Sequence, residues 1–120
     1  MTELDIKTIL NEYPAKIEEA EKNLFKLKIA QTEREFEQKE KELFITQEVE
    51  RDAKTDAFKE ALSNATKRNL EVKSRLSSYH EYQLLLDNID AERKNIAMNE
   101  IVVNRMKREY RSAESLARLE

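Results

Sequence analysis

The side chains that most often carry chemistry are few in this chain. His80 is the only histidine, and cysteine is absent. A zinc ion bound within one chain would need carboxylates to complete its ligands, which is unusual. A di-iron site of the helical-bundle type needs Glu-x-x-His pairs, and Ser77 stands where the glutamate would be. We therefore expect no metal and no cofactor, and we interpret His80 as a partly exposed residue at a helix start.

The carboxylates are numerous, but their pattern is not typical of acid–base catalysis. They lie in charge-balanced runs, and no pair is set in an apolar segment that would raise the pKa of one member. The chain has no glycine and so lacks a glycine-rich phosphate loop. No Ser, Cys and His arrangement for nucleophilic catalysis can be identified. We predict that the protein is not an enzyme and has no catalytic residue.

Two charged clusters are candidates for contacts with a partner. The basic one surrounds Tyr110 and could contact phosphates, or it could pair with the acidic first half of the chain. The acidic one lies between Ala30 and Glu42, and it is either a solvated helix face or a face that docks a basic partner. The basic candidates are Arg105, Lys107, Arg108 and Arg111, and the acidic candidates are Glu33, Glu37 and Glu40.

Long helices must position both clusters. Of the 120 residues, 39% are charged, and the chain contains no glycine and one proline. Because glycine adopts positive φ at little cost, its absence indicates few turns and long elements. The apolar residues are periodic, which favours a helical hairpin over disorder. We predict an all-α, coiled-coil-like fold in one domain, residues 1–120.

The net charge of −3 is uneven, with −5 on residues 1–60 and +2 on residues 61–120. This asymmetry suits pairing of the two halves and is too small to mark a nucleic-acid-binding protein. No apolar run approaches the length of a membrane span, and the N-terminus lacks a signal-peptide pattern. We therefore expect a cytoplasmic protein that does not enter a membrane.

Pro14 divides the first half of the chain in this interpretation. Proline disfavours helical geometry in the preceding residue, so we predict a short capping helix over residues 1–12 and a bend at Asn11–Tyr13. A long helix then covers residues 14–53. Its inward stripe is predicted to contain Ile17, Ala20, Leu24, Phe25, Ile29, Thr32, Phe36, Leu43 and Val49.

The second half is predicted to be one long helix over residues 64–119, antiparallel to the first. The hairpin turn falls between residues 51 and 64, and Ser63 or Asn64 caps the next helix. Ser78 and Glu81 have the spacing of a capping box, which predicts a break near residues 77–79.

A seam of heptad spacing runs through Tyr82–Ala117. We expect it to pack against another helix and to form a homodimer, with Glu92 and Asn99 as polar positions that set register. The seam residues proposed for the dimer are Tyr82, Leu85, Ile89, Ile96, Asn99, Val103, Met106 and Tyr110.

Three segments resemble the C-terminal half of small helical proteins encoded by bacteriophages and prophages. They are SNATKR, EYQLLLDNI and NRMKREYRSAESLARL, within residues 60–119. That family begins this half with Asn-Ala-x-x-Arg, as at Asn64, Ala65 and Arg68. An Asp-Pro often precedes its Tyr-Gln step, where this chain has Tyr79 and His80. The resemblance implies a phage early-region protein in a bacterial host cytoplasm and assigns no binding residue.

Three functional hypotheses follow. The first is a phage-type protein that binds a nucleic-acid-processing or host-defence protein, in its sharpest form as an inhibitor of a host nuclease such as a CRISPR effector. Its acidic face would occupy a basic channel. The second is a DNA-binding accessory of phage replication or recombination that uses the basic cluster. The third is a structural or assembly coiled coil.

Overall fold

A computed structural model describes residues 1–119, which form three helices. They are α1 at Glu3–Asp52, α2 at Ala65–Ser78 and α3 at His80–Arg118. The predicted all-α class is confirmed for these residues. The chain divides into two compact units. The terminal unit comprises Met1–Ala30 and the residues from Glu92 onward, and the central unit comprises Gln31–Ala91. The overall hairpin and the dimer stay predictions.

The start of α1 is capped by a reciprocal pair. The Thr2 backbone N–H donates to Asp5 Oδ2 at 3.0 Å, and the Asp5 N–H donates to Thr2 Oγ1 at 3.2 Å. Hydrogen bonding to Thr2, first to its backbone and then to its side chain, lowers the pKa of Asp5. These bonds occupy two of the N–H groups that a helix start leaves without intrahelical partners.

The separate helix over residues 1–12 and the bend at Asn11–Tyr13 were wrong predictions, because α1 continues through Pro14. A proline cannot donate a hydrogen bond to the carbonyl four residues earlier, which here is that of Leu10. Apolar contacts offset this loss. Ile9, before the proline, and Tyr13, beside it, belong to the same cluster around Ala113. Since one apolar surface holds successive turns of the helix, α1 stays continuous.

Contacts between α1 and α3 in the terminal unit run in opposite chain directions. Lys28 Nζ lies 3.0 Å from Glu100, and Glu21 lies 2.7 Å from Lys107 Nζ. Tyr13 Oη donates to Glu109 at 2.5 Å, and this bond raises the pKa of Tyr13. The two segments of this unit are therefore antiparallel.

The seam predicted on α3 is a packing surface within one chain. Of its eleven heptad positions from Tyr82 to Ala117, six are buried and five are half-buried. The half-buried positions are Glu92, Asn99, Met106, Tyr110 and Ala117. The Asn99 amide donates to the Asn95 carbonyl at 2.8 Å and to the Asn95 side chain at 3.0 Å. These bonds lie within α3 and set no register between helices. A dimer through the seam stays a prediction. The buried members are Tyr82, Leu85, Ile89, Ile96, Val103 and Ala113.

The connection between α1 and α2 is a series of turns. α1 ends at Asp52, one residue before the predicted end, and Thr55 Oγ1 donates to the Asp52 carbonyl at 2.6 Å. The predicted cap at Asn64 is confirmed, since its Oδ1 accepts from the Lys67 N–H at 2.8 Å. No residue in 1–119 has positive φ, so this connection requires no glycine. Leu62, 4% exposed, attaches it to the central core.

The predicted break near residues 77–79 is confirmed. Tyr79 is extended, with φ −88° and ψ 112°, and separates α2 from α3. The capping box is wrong, however, because Ser78 Oγ donates to the Arg75 carbonyl at 2.7 Å. Ser78 is still helical, so its hydroxyl bonds to the preceding turn of α2. Tyr79 supplies the carbonyl that accepts from the Gln83 N–H in α3.

Candidate functional site

The central unit fixes which side of α1 faces inward. Ile45 is 4% exposed and Val49 is fully buried, and both belong to a core cluster with Tyr82. Stepping back from Ile45 by three or four residues leads to polar positions that are all half-buried. These inward positions are Gln31, Arg34, Gln38, Lys41 and Glu42.

The apolar residues of the same segment face outward. Phe36, Leu43 and Phe44 are 63%, 57% and 59% exposed. Phe36 and Leu43 were predicted to face inward, and that prediction is wrong. The continuous helix takes its phase from Ile45 and Val49, and this phase puts Phe36 on the outer side.

Three further members of the stripe predicted to face inward on α1 are exposed, and that part of the prediction is wrong. Phe25 and Ile29 are exposed, and so is Thr32 in the central unit. The earlier members, Ile17, Ala20 and Leu24, are half-buried, and Val49 is buried, as predicted.

Hydrogen bonds satisfy part of the polar inner stripe. Tyr82 Oη donates to Glu42 Oε1 at 2.6 Å, and Gln38 Nε2 donates to the same carboxylate at 3.1 Å. Burial, followed by the bond to Glu42, raises the pKa of Tyr82 to about 12. The packing of α1 on α3 here depends on these polar contacts as well as on the core cluster.

Arg75 ties α2 to the end of α1. Its Nη1 lies 2.8 Å from both Glu48 Oε1 and Asp52 Oδ2, and its Nε lies 2.9 Å from Glu71 Oε1. The guanidinium also stands 6.0 Å from the Phe58 ring centroid. Hydrogen bonds to Glu71 and Asp52 raise the pKa of Arg75. Sequence reasoning missed this residue, and the spacing of Glu71 and Arg75 was the only local signal.

Acidic and apolar residues predominate on the outer side of α1, where Lys39 is also exposed. Glu33, Glu37 and Glu40 are exposed, and none of their side chains forms a hydrogen bond or ion pair within residues 1–119. Glu40 stands four residues after Phe36 and four before Phe44, so it adjoins both rings on the helix surface. We name this surface the outer face of α1, and it comprises Glu33, Phe36, Glu37, Glu40, Leu43 and Phe44.

An apolar groove adjoins the outer face and has a volume of about 430 Å³. It lies at the junction where helix α2 ends and helix α3 begins. His80, the only histidine of the chain, lines it and is the first residue of α3, as predicted. Phe44 belongs to both the groove and the outer face. The other lining residues are Lys41, Ile45, Leu76, Tyr79, Glu81 and Tyr82.

Three of the four predicted basic residues, Lys107, Arg108 and Arg111, line one hollow, and Arg105 lies outside it. Lys107 pairs with Glu21 at 2.7 Å, and Arg105 lies 3.9 Å from Glu109. Arg108 and Arg111 are exposed and have no ion pair within residues 1–119. With Ile101, Asn104 and Lys107, these two arginines line a hollow of about 390 Å³ that does not include Arg105.

Neither a metal centre nor a membrane segment is found in the described part of the chain. Within residues 1–119, no group of three or more His, Asp or Glu side chains could hold a metal ion. None of the helices there is both long enough and apolar enough to cross a bilayer.

No protein-family model, curated protein or solved structure matches the chain. The resemblance to phage early-region proteins therefore stays a prediction.

Proposed function

We propose that the protein is a non-catalytic interaction protein whose outer face of α1 docks a basic segment of another protein. The observation that carries the proposal is the outward position of Phe36, Leu43 and Phe44, each more than half exposed. Clustered apolar side chains on a surface are typical of protein-docking sites. Here they are exposed while polar residues occupy the inward positions of the same helix segment.

The three unpaired glutamates favour a basic partner. The central unit carries 14 acidic and 10 basic residues, so it is acidic as a whole. A second copy docked face to face would bring Glu33, Glu37 and Glu40 near their own counterparts, and like charges in contact are unfavourable. Lysine and arginine beside apolar residues would neutralise the carboxylates while covering the rings.

A nucleic-acid-processing protein has the surface chemistry that this face requires. Such proteins present lysine and arginine to phosphates, and a helix bearing glutamates can occupy the same basic surface. We propose, in the finer form, a phage-type inhibitor that blocks the nucleic-acid channel of a host nuclease, including a CRISPR effector. The resemblance and the acidic face support this form together.

Synthetic peptides test the general proposal. Three helical peptides of about 20 residues, long enough for five turns, would share one Leu/Phe face and differ only in flanking charge. The face would be flanked by Lys and Arg in the basic peptide, by Gln in the neutral peptide and by Glu in the acidic peptide. We expect the basic peptide to bind most tightly in fluorescence anisotropy and to weaken as salt rises, because exposed charge contacts are screened.

Charge reversal provides the matched control. The Glu33→Lys/Glu37→Lys/Glu40→Lys variant should prefer the acidic peptide. The Glu50→Lys/Asp56→Lys/Asp87→Lys variant reverses three exposed acidic residues of the same unit that have no ion pair within residues 1–119, and it should behave as the wild type. Equal binding of all three peptides, or no binding, would overturn the proposal.

Nuclease assays test the finer form. Purified CRISPR effector nucleases would be assayed for DNA cleavage with the wild type and with the three-glutamate reversal. We expect inhibition by the wild type only. Inhibition that survives the reversal would remove the outer face of α1 from the mechanism.

The DNA-accessory hypothesis is less favoured, because Glu21 already pairs with Lys107. DNA binding at low salt that is lost in the Arg105→Ala/Arg108→Ala/Arg111→Ala variant would restore that hypothesis. The assembly hypothesis would require self-association, which sedimentation at micromolar concentration measures.

A further inference from the structure

The groove beside the outer face has a defined floor and open walls. Ile45, Leu76 and Tyr82 form the floor and are 4%, 8% and 8% exposed. Phe44 and Tyr79 line it as well, yet they remain 59% and 47% exposed. Two aromatic rings therefore stand beside a buried apolar base with much of their surface uncovered.

The helix break creates this groove. Because Tyr79 is extended, α2 ends at Ser78 and α3 begins at His80, and the groove lies at this junction beside Ile45. The volume of about 430 Å³ is within the range of sites that hold small ligands. It is ample for one large side chain.

Polar residues border the groove and continue into a second hollow. Lys41 Nζ lies 3.9 Å from Glu81 Oε2, and both residues line the groove as well as a neighbouring hollow of about 320 Å³. Glu37 and Leu84 line that second hollow, and Leu84 is 47% exposed. Arg34 lines that hollow as well, so it holds two acidic and two basic side chains. A docked segment would thus meet an apolar groove, an ion pair and a hollow of mixed charge.

From this arrangement we propose that the groove binds an aromatic or large aliphatic anchor side chain of the basic segment. The inference rests on the proposed function, because Phe44 joins the groove to the outer face. Charge complementarity selects the occupant. Glu40 lies one turn before Phe44 and Glu37 lies in the adjoining hollow, and both lack ion pairs within residues 1–119. Lysine or arginine on either side of the anchor would meet these carboxylates.

A double-mutant cycle tests the inference. The basic peptide would carry one tryptophan anchor, and a second version would carry alanine in its place. The anchor-to-alanine change should weaken binding to the wild type by about tenfold, the effect of a typical anchor residue. In the Tyr79→Ala and Phe44→Ala variants the two peptides should bind equally, because the groove no longer holds the anchor.

Leu70→Ala is the matched control, since Leu70 is 61% exposed in the same unit and does not line the groove. It should keep the full tenfold preference. If circular dichroism shows that Tyr79→Ala does not fold, Phe44→Ala still tests the groove. That variant should fold, because alanine is favourable within a helix.

The outcomes separate the groove from the general proposal. If the basic peptide binds and prefers its anchor equally in all variants, the groove is not the anchor site while the docking face stands. If charge and anchor both have no effect on binding, the two proposals fail together. Self-association of the wild type that Phe44→Ala and Tyr79→Ala abolish would overturn the inference in favour of a second copy of the chain.

Discussion

The two compact units use the same two long helices but hold them together differently. In the terminal unit, apolar residues such as Ile6 and Ile9 pack on Ala113, and charge pairs such as Lys28–Glu100 lie at the exposed edge. In the central unit, polar residues occupy inward positions of α1, and Phe36 and Phe44 face outward as Phe25 does in the terminal unit. The comparison shows that the best apolar contacts fix the phase of a helix, and the remaining residues follow that phase whatever their polarity.

The ion pairs of the two units also differ in burial. The Lys28 and Glu100 side chains are 51% and 44% exposed, whereas that of Arg75 is 16% exposed. Because water screens the charges, an exposed ion pair contributes at most about 1 kcal/mol to the free energy of unfolding. Partly buried charge contacts contribute more, and removing one member leaves the others inadequately solvated. The central unit should therefore be the more sensitive to the loss of a single charge.

Arg75→Ala should have the largest effect. It leaves Glu48, Asp52 and Glu71 facing one another without their shared cation, so the free energy of unfolding should fall by about 3 kcal/mol. Urea denaturation followed by circular dichroism measures this change. Hydrogen exchange should also show faster opening of α2, with the amides of α1 before Tyr13 little changed.

Lys107→Ala is the control for this change, since it removes a more exposed pair with Glu21. It should cost less than about 1 kcal/mol. Equal effects of the two substitutions would contradict the difference between the units.

Alkaline pH should distinguish the two interhelical tyrosines. Folded Tyr82 keeps its proton to a pKa of about 12, whereas a tyrosine in the unfolded chain loses its proton near pH 10. The contribution of the protonated Tyr82 to the free energy of unfolding is therefore complete below pH 10, and it is lost as the pH rises from 10 towards 12. The loss should reach about 2 kcal/mol, measured by urea denaturation at a series of pH values.

Tyr82→Phe should remove this alkaline decrease. Tyr13→Phe in the terminal unit should change it less, because Tyr13 has a smaller shift of pKa in the same direction and lies nearer the surface. An unchanged alkaline profile in Tyr82→Phe would refute the role of the Tyr82–Glu42 bond.

The sequence predicted those parts of the fold that depend on local signals. The α3 seam follows from apolar spacing over many turns, and Asn64 has the chemistry of a cap. The phase of α1 was not predictable in the same way. Phe36 and Leu43 also fit a heptad stripe, and only the packing of Ile45 and Val49 on α2 and α3 chooses between the two stripes.

The candidate site was predicted only in part. Glu33, Glu37 and Glu40 were singled out by their charge, while the groove requires residues from three helices that no local pattern connects. Arg75 escaped notice because its partners Glu48 and Asp52 lie on another helix. Continuity through Pro14 was missed because proline chemistry predicts a break, and the contacts around Ala113 that oppose it are distant in sequence.

Pro14→Ala should stabilise the terminal unit. Alanine restores an N–H that can donate to the Leu10 carbonyl, and it favours helical geometry. Because alanine also gives the unfolded chain more freedom, the net gain should be about 1 to 2 kcal/mol. Thermal unfolding measures it, with Ala15→Gly, an exposed site on the next residue, as the control that should destabilise. A loss of stability in Pro14→Ala would show that α1 needs a bend there.

The smallest expected effect gives the sharpest test of the central unit. Phe36→Gln and Leu43→Gln should change the free energy of unfolding by less than about 0.5 kcal/mol, because both side chains already face solvent. Ile45→Gln, two residues after Leu43 but 4% exposed, should be severely destabilising. The same two surface variants should lose binding to the basic peptide. If either one lowers stability in a manner that depends on protein concentration, a second copy of the chain covers the outer face of α1. The apolar residues of the central unit would then be part of a core shared between two chains, and the contrast with the terminal unit would disappear.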